Sequence, residues 1–310
     1  MSKNKNGVHD SVTLGVGYIS DEKTLGPYYQ DISLALVHIE EGIFAKLDEK
    51  GIPYMPKGDQ RHYSIVLIIQ YGLMHIDMYH SKKDAKYLEI AKKCVDWLEE
   101  NKVVFKDTFM WRSEYNLQYN IPDGWVSGMY QGQAISLYLR YYQISGEQIY
   151  LETAEIVYKS FKYTYEEGGF KRYDKLGCVW YEEYTTDKPS FVLNGFIYAM
   201  LGLYDLYRLT GREDVKADWD SCVDTLRKNM KKYDVWYWSV YDQLKEQLVS
   251  FYYQKNVHVP LMQIMYGITK DKMFDYYAVK WQKSLESSFH LFVTKIMYRI
   301  QPRLKKITKR

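Results

Sequence analysis

The sequence predicts an all-α fold, an α/α toroid of the (α/α)6 type, complete or incomplete, with a small β-hairpin at one mouth. Three observations predict it. An apolar helix, a short polar joint and an amphipathic helix recur along the chain. The first helix of each pair is apolar all round and the second is not. Strand patterns are scarce.

The joints read MYHSKKDAKYLEIA (78–91), YYQISGEQIYLETA (141–154), LYRLTGREDVKADW (206–219) and MYGITKDKMFDYYA (265–278). Their turn residues Ser81, Ser145, Thr210 and Thr269 recur about every 60–65 residues, the signature of a repeated supersecondary unit. Ser or Thr before an acidic residue is N-cap chemistry, so each is expected to cap the helix that follows. In the second helices Leu88, Ala91, Val95 and Leu98 share one face. So do Tyr150, Ala154, Val157 and Phe161, and so do Trp219, Val223, Leu226 and Met230. The first helices, such as 65–73 and 191–203, are apolar on every side, as buried helices are. Inner apolar helices alternating with outer amphipathic ones describe the toroid. Phe170–Tyr173 and Cys178–Tyr184, around Asp174–Gly177, form the expected hairpin. Residues 1–25 are polar and aperiodic and read as a flexible lead-in. Residues 26–285 read as one catalytic domain, and 286–310 as a C-terminal helix with a basic tail. Loops 101–127 and 233–257 are long enough to be functional.

Composition narrows the function classes. The 310 residues carry a formal net charge of +3, which gives no bulk argument for a nucleic-acid partner, and none is expected. Three dispersed cysteines, with no metal-type spacing, imply a reducing compartment and no metal site. No apolar run reaches the length of a signal peptide or a membrane span. A cytoplasmic protein is expected. Tyrosine is the outlier: 33 residues, against 19 for Phe (11) and Trp (8) together. A ring with a polar tip suits the apolar faces and polar edges of sugars, although most such rings fill core positions.

Polar residues gather just before or within the inner helices: Gln70-Tyr71-Gly72; Gly124-Trp125 through Gln131-Gly132-Gln133; Glu182-Glu183-Tyr184 followed by Asn194-Gly195; and Tyr241-Asp242, then Tyr252-Tyr253 and His258. In a toroid these positions share one end of the ring, where sites gather. Each also has a structural reading: capping for Gln-Gly-Gln, close packing for Asn194-Gly195, a hydrogen-bonded core residue for His258.

The strings YGLMHIDMY, GWVSGMYQGQAIS, WYEEY with PSFVLNGFIYAMLGL, and SVYD with SFYY and His258 resemble the C-terminal catalytic domain of the D-glucuronyl C5-epimerases. The resemblance covers about residues 60–285. It implies conversion of D-glucuronate to L-iduronate within a heparan-type polysaccharide, without a cofactor. It places the catalytic residues on Glu183, Tyr184, Tyr241 and Tyr253, and it suggests a homodimer. Family members commonly carry an Arg after the Tyr-Asp pair; here Gln243-Leu244-Lys245 follows, so Lys245 supplies that charge or it is absent. The later tyrosine usually precedes its His by four residues. Tyr253 precedes His258 by five, so either a one-residue bulge realigns Tyr253 or Tyr252 takes its role.

The chemistry suits these residues. Removing the C5 proton of a uronate puts a second negative charge beside a carboxylate. It needs a base on one face, an acid on the other and donors to the carboxylate oxygens. A phenol of pKa near 10 is a good acid for a carbanion. Glu183, partly desolvated, serves as base. Gln70, Tyr71, Trp125, Gln131, Gln133, Asn194, Lys245 and His258 are the expected substrate-binding residues. A polysaccharide lyase shares the same carbanion, and a glycan-binding toroid without catalysis is the non-enzymatic alternative.

The last segment, 284–310, has an apolar side (Phe289, Leu291, Phe292, Ile296, Met297, Ile300) and a basic end (Arg303, Lys305, Lys306, Lys309, Arg310). It reads as a final helix packed on the toroid, or as an interfacial helix holding the protein peripherally at the inner membrane.

Overall fold

In the computed structural model, residues 14–308 are described. Four helical hairpins are present among them. The first helices are α1 (Ile65–Lys82), α3 (Gly128–Ser145), α5 (Leu193–Thr210) and α7 (Val259–Thr269). Their partners are α2 (Ala85–Asn101), α4 (Gln148–Tyr158), α6 (Glu213–Asn229) and α8 (Lys272–Glu286). A last helix, α9 (Ser288–Thr308), follows. This is an incomplete α/α toroid.

The two central inner helices are buried on all sides. Every residue of α3 from Gly128 to Tyr141 is buried, as is every residue of α5 from Leu193 to Leu206. The outer helices bury one stripe: Ala91, Val95 and Leu98 on α2; Tyr150, Ala154 and Val157 on α4; Trp219, Val223 and Leu226 on α6; Phe274, Tyr277, Ala278 and Trp281 on α8. The centre is tight where α3 meets α5. A Cβ on Gly132 would stand 2.4 Å from the Ala199 carbonyl oxygen, and one on Gly202 only 2.2 Å from that of Gly132. Only glycine permits this backbone approach.

The joints fall where the sequence puts them: α3, α5 and α7 end at Ser145, Thr210 and Thr269, and α1 ends one residue past Ser81. Their caps differ from expectation. The N-cap residues of the second helices are Asp84, Glu147, Arg212 and Asp271. Thr210 and Thr269 instead donate back to the carbonyls of Leu206 and Met265, at 2.6 Å each. Each hydroxyl closes its own preceding turn, and it also accepts from the amide of the next helix's N-cap residue, Arg212 at 3.4 Å and Asp271 at 3.2 Å. Each first helix then ends in a left-handed residue: Lys83, Gly146, Gly211 and Lys270, with φ between +55° and +75°.

Strands are short and lie at the loops. The expected hairpin pairs Lys171–Tyr173 with Val179–Tyr181. Four further small sheets occur among the described residues. One lies in each long loop: Val103–Phe105 with Thr108–Met110, and Asp234–Val235 with Trp238–Ser239.

The lead-in differs most from expectation. Residues 1–13 lie outside the described residues, but 14–25 are bound to the body. Leu25 is fully buried. The amide of Leu14 donates to Asn256 at 2.8 Å and that of Leu25 to Gln143 at 2.9 Å. Residues 15–35 pack on α7 at one side and α1 at the other, across the opening left by the four hairpins. A buried node fixes them there. Asp205 of α5 accepts from Arg140 (2.5 Å) and Ser136 (2.6 Å) of α3 and from Tyr29 (2.5 Å). Arg208 reaches Tyr29, Glu22 O and Thr24 O. The buried charges are paired, and the Arg140 guanidinium also lies over the rings of Tyr28 and Tyr29, although its Nη2 has no hydrogen-bond partner among the described residues.

Candidate active site

Two adjacent glutamates leave the hairpin strand Val179–Tyr181, and both are buried. Their surroundings separate them. Glu182 accepts from the Ser190 amide (2.9 Å), the Ser190 hydroxyl (2.6 Å) and the Phe191 amide (3.0 Å). It ties down the turn into α5, where Phe191 takes a left-handed φ of +46°. Such strain persists only when neighbours over-determine it. Glu183 instead faces Tyr241, whose hydroxyl donates to Oε1 at 3.0 Å. Its other oxygen, Oε2, has no hydrogen-bond partner among the described residues. Room for that oxygen comes from Gly195, where a Cβ would lie 2.3 Å from Oε2.

Burial pushes the Glu183 carboxyl up to about 7, against hydrogen bonds from Tyr241, Tyr184 and Asn194 that lower it. Burial also holds Tyr184, Tyr241 and Tyr253 well above the usual phenol range, with the Glu183 charge adding to the rise. All three phenols therefore carry their protons near neutrality. The cluster is one carboxylate among neutral donors.

Each tyrosine is held by its ring. Tyr184 lies between Tyr119 (ring centroids 4.5 Å apart) and Trp125 (5.5 Å). Tyr241 meets Tyr253 edge-on at 5.5 Å. Tyr253 in turn meets His258 at 5.4 Å. The five-residue spacing of that last pair is explained locally. Gln254–His258 form a π-helical turn, whose i→i+5 bonding absorbs one extra residue and keeps Tyr253 and His258 on one face. Tyr252 lines the same neighbouring cavity as Tyr253.

Two cavities flank the cluster. One, of about 300 Å³, is lined by Gln70, Asn194, Tyr198, Tyr252 and Tyr253, with Gln30 and apolar groups including Leu67 and Met129. The other, of about 490 Å³, is lined by Trp125, Tyr130 and Tyr184 with His62, Arg112 and Glu114.

The other expected binding residues are distributed unevenly. Gln70, Trp125 and Asn194 reach the cavities. Tyr71 is buried in the helix packing against His75. Gln131 turns away, donating to Phe109 O and Ser160. Gln133 is fully buried and its amide has no partner among the described residues. Lys245 donates to Gln118 O and sits 4.2 Å over the Tyr119 ring, so its charge braces the wall behind Tyr184. His258 is fully buried on Ser239 (2.8 Å), and burial lowers it to about 3, which keeps it neutral.

Sequence reasoning missed Tyr119, Gln30 and Tyr198. Tyr119 donates to Asp242 at 2.7 Å and stacks on Tyr184. Its only signal was membership of the long loop 101–127. Tyr198 donates to Gln30, and Gln30 donates to Asn256 O at 2.6 Å. Among the described residues no group of three or more His, Cys, Asp or Glu side chains could hold a metal ion.

Comparison with solved structures places the fold. Cellobiose 2-epimerase from Bacillus thermoamylovorans B4167 is similar over 78% of this chain and 67% of its own, with TM-score 0.53 and 12% identity. A D-mannose isomerase is similar over 86% and 71%, with TM-score 0.54 and 13% identity. At such identities the likeness shows the α/α-toroid fold alone.

The sequence comparisons go further. Residues 99–283 match the family described as D-glucuronyl C5-epimerase C-terminus. Over 208 residues the chain is 32% identical to the D-glucuronyl C5-epimerase of Caenorhabditis elegans, spanning 60% of this chain but only a third (33%) of that protein. An uncharacterized protein of Methanocaldococcus jannaschii is 25% identical over 244 residues, 77% of this chain and 72% of that one. Fold and sequence together define the class, an α/α toroid that carries the sequence of an epimerase C-terminal family. Within that class the chain belongs to the D-glucuronyl C5-epimerase C-terminus family.

Proposed function

We propose that this protein inverts C5 of a D-glucuronate residue within a polysaccharide, giving L-iduronate. The observation that carries the reading is the Glu183–Tyr241 pair at 3.0 Å, set among Tyr184, Tyr253 and Asn194. Glu183, with its pKa near the working pH, takes the C5 proton on Oε2, the oxygen that Tyr241 leaves free. The C5–H electron pair moves into the uronate carboxylate. Asn194 donates to that group as its second charge develops, while the Tyr241 hydroxyl stays on Glu183 Oε1 and holds the base in place. A neutral phenol, Tyr184, returns a proton to C5 from the other face. The proton on Glu183 and the vacancy on the phenolate are then balanced by exchange with water. No bond other than C5–H is broken, so no leaving group is needed. Cavities on both sides of the cluster support a polymer passing across it rather than a single sugar.

The test is C5 hydrogen exchange of a glucuronate polymer in deuterated water. Tyr184→Phe keeps the ring stack and removes the proton, and Glu183→Gln removes the base. Each is expected to lower exchange by about 10²-fold or more, the scale of general acid–base catalysis. Undiminished exchange in either variant reassigns that role.

A further inference from the structure

We propose that helix α9 docks the protein on an anionic lipid surface. One side of the helix is already used. Thr294 is buried, and Leu291, Val293 and Met297 pack on the core. The Tyr298 hydroxyl donates to Val249 O, and the Gln301 amide donates to Glu246 O at 2.8 Å. A surface helix needs one apolar stripe to hold it to its body. This helix has a second one.

Phe289, Phe292, Ile296 and Ile300 follow the i, i+3, i+7, i+11 spacing of a single face. They are 63%, 61%, 38% and 39% exposed. Trp236, 59% exposed, extends the row, its ring 6.2 Å from that of Phe289. Isolated exposed apolar residues are ordinary, but a continuous row marks a contact surface.

Charge identifies the occupant. Residues 287–310 hold seven basic residues (Lys295, Arg299, Arg303, Lys305, Lys306, Lys309, Arg310) and no Asp or Glu. The whole chain is +3, so the remainder carries 3 − 7 = −4. Lys295 and Arg299, both exposed, lie one turn apart beside the apolar row. A second copy seated on this face would bring two such basic segments together, which like-charge repulsion opposes. An anionic bilayer accepts both features: apolar side chains enter the headgroup–acyl boundary while Lys and Arg meet the lipid charge. Tryptophan beside the row suits that boundary. No helix among the described residues is long and apolar enough to cross a membrane, so the contact is peripheral. The helix is tied to residues 246–249, the segment that follows Asp242 and Lys245 of the candidate site. Docking would therefore hold the toroid's mouth near the lipid surface, whatever reaction it performs.

The experiment is co-sedimentation of the full chain with vesicles of phosphatidylglycerol and phosphatidylcholine, against phosphatidylcholine alone. Binding is expected to the anionic vesicles, to weaken at high salt and to be lost on neutral ones. The double variant Phe292→Ser/Ile296→Ser changes only exposed positions, and an unaltered melting curve checks that it folds. It is expected to weaken vesicle binding by about tenfold or more. Equal binding by both proteins, or no binding by the full chain, overturns the proposal. A dimer in lipid-free solution that the double variant dissolves, without vesicle binding, assigns the face to a second copy instead.

Discussion

At the scale of residues, the informative contrast is between Glu182 and Glu183. Both are buried, and burial pushes both up to about 7. Glu182 spends its acceptors on the turn at Ser190, while Glu183 keeps one oxygen free beside three phenols. Two consequences follow for pH. Catalysis that needs ionised Glu183 should rise with pH through about 7. Tyr241→Phe removes a hydrogen bond that lowers this carboxyl, so the midpoint of the exchange profile should move to higher pH; an unmoved midpoint would detach the pair from the reaction. Stability should run the other way. The folded carboxyls hold protons that the unfolded chain releases near the ordinary 4.5, so their contribution is full below that value and is lost as pH rises through about 7. Glu183→Gln should flatten part of that loss in denaturant titrations. Gly195→Ala is a steric test. The added methyl meets the Glu183 carboxylate, so exchange should fall at least about tenfold with the helix content unchanged; full activity would show that the carboxylate moves aside freely. The Glu-Glu-Tyr string was legible in the sequence as a motif. The resemblance pointed to Glu183; why Glu183 and not Glu182 was not legible, because that depends on Ser190 and Phe191 closing on Glu182.

At the scale of elements, the repeat was legible because its signal is local. Polar joints and helical periodicity fall within a dozen residues, so inner and outer helices could be separated by pattern alone. The caps were misread because a Ser or Thr between two helices can serve either one, and here Thr210 and Thr269 bond backwards. The π-helical turn is the element that decides between two tyrosines. It keeps Tyr253 against Tyr241 and His258, although Tyr252 and Tyr253 both line the cavity. Tyr253→Phe should therefore lower C5 exchange by about 10²-fold, and Tyr252→Phe by less than about tenfold. The reverse order would assign the role to Tyr252. The spacing of five was visible in the sequence, but its resolution needed the bonding pattern of the turn.

At the scale of the molecule, the toroid is closed by residues 14–35, of which the sequence read only those up to 25 as a flexible lead-in. Residues 14–35 have no periodicity, and their partners are remote: Leu14 and Asn256 are 242 residues apart. Such contacts leave no local pattern to read. Asp205 is their anchor. Asp205→Ala leaves Arg140 and Arg208 buried without their shared partner, a loss of about 3–5 kcal/mol in denaturant unfolding. A loss below about 1 kcal/mol, the scale of an exposed pair, would show that the node does not hold the segment. The same closure brings Gln30 to the cavity beside Asn194 and Tyr253, so fold and candidate site depend on one another. The proposed reaction inverts C5 at this mouth without cleaving the polymer. It is tested by incubating the protein with a glucuronate polymer in deuterated water and reading the product by nuclear magnetic resonance. Iduronate residues carrying deuterium at C5, in a polymer of unchanged length, are the expected product. An unsaturated end group with a shortened chain would make the protein a lyase, and a bound polymer with neither change would make it a glycan-binding toroid.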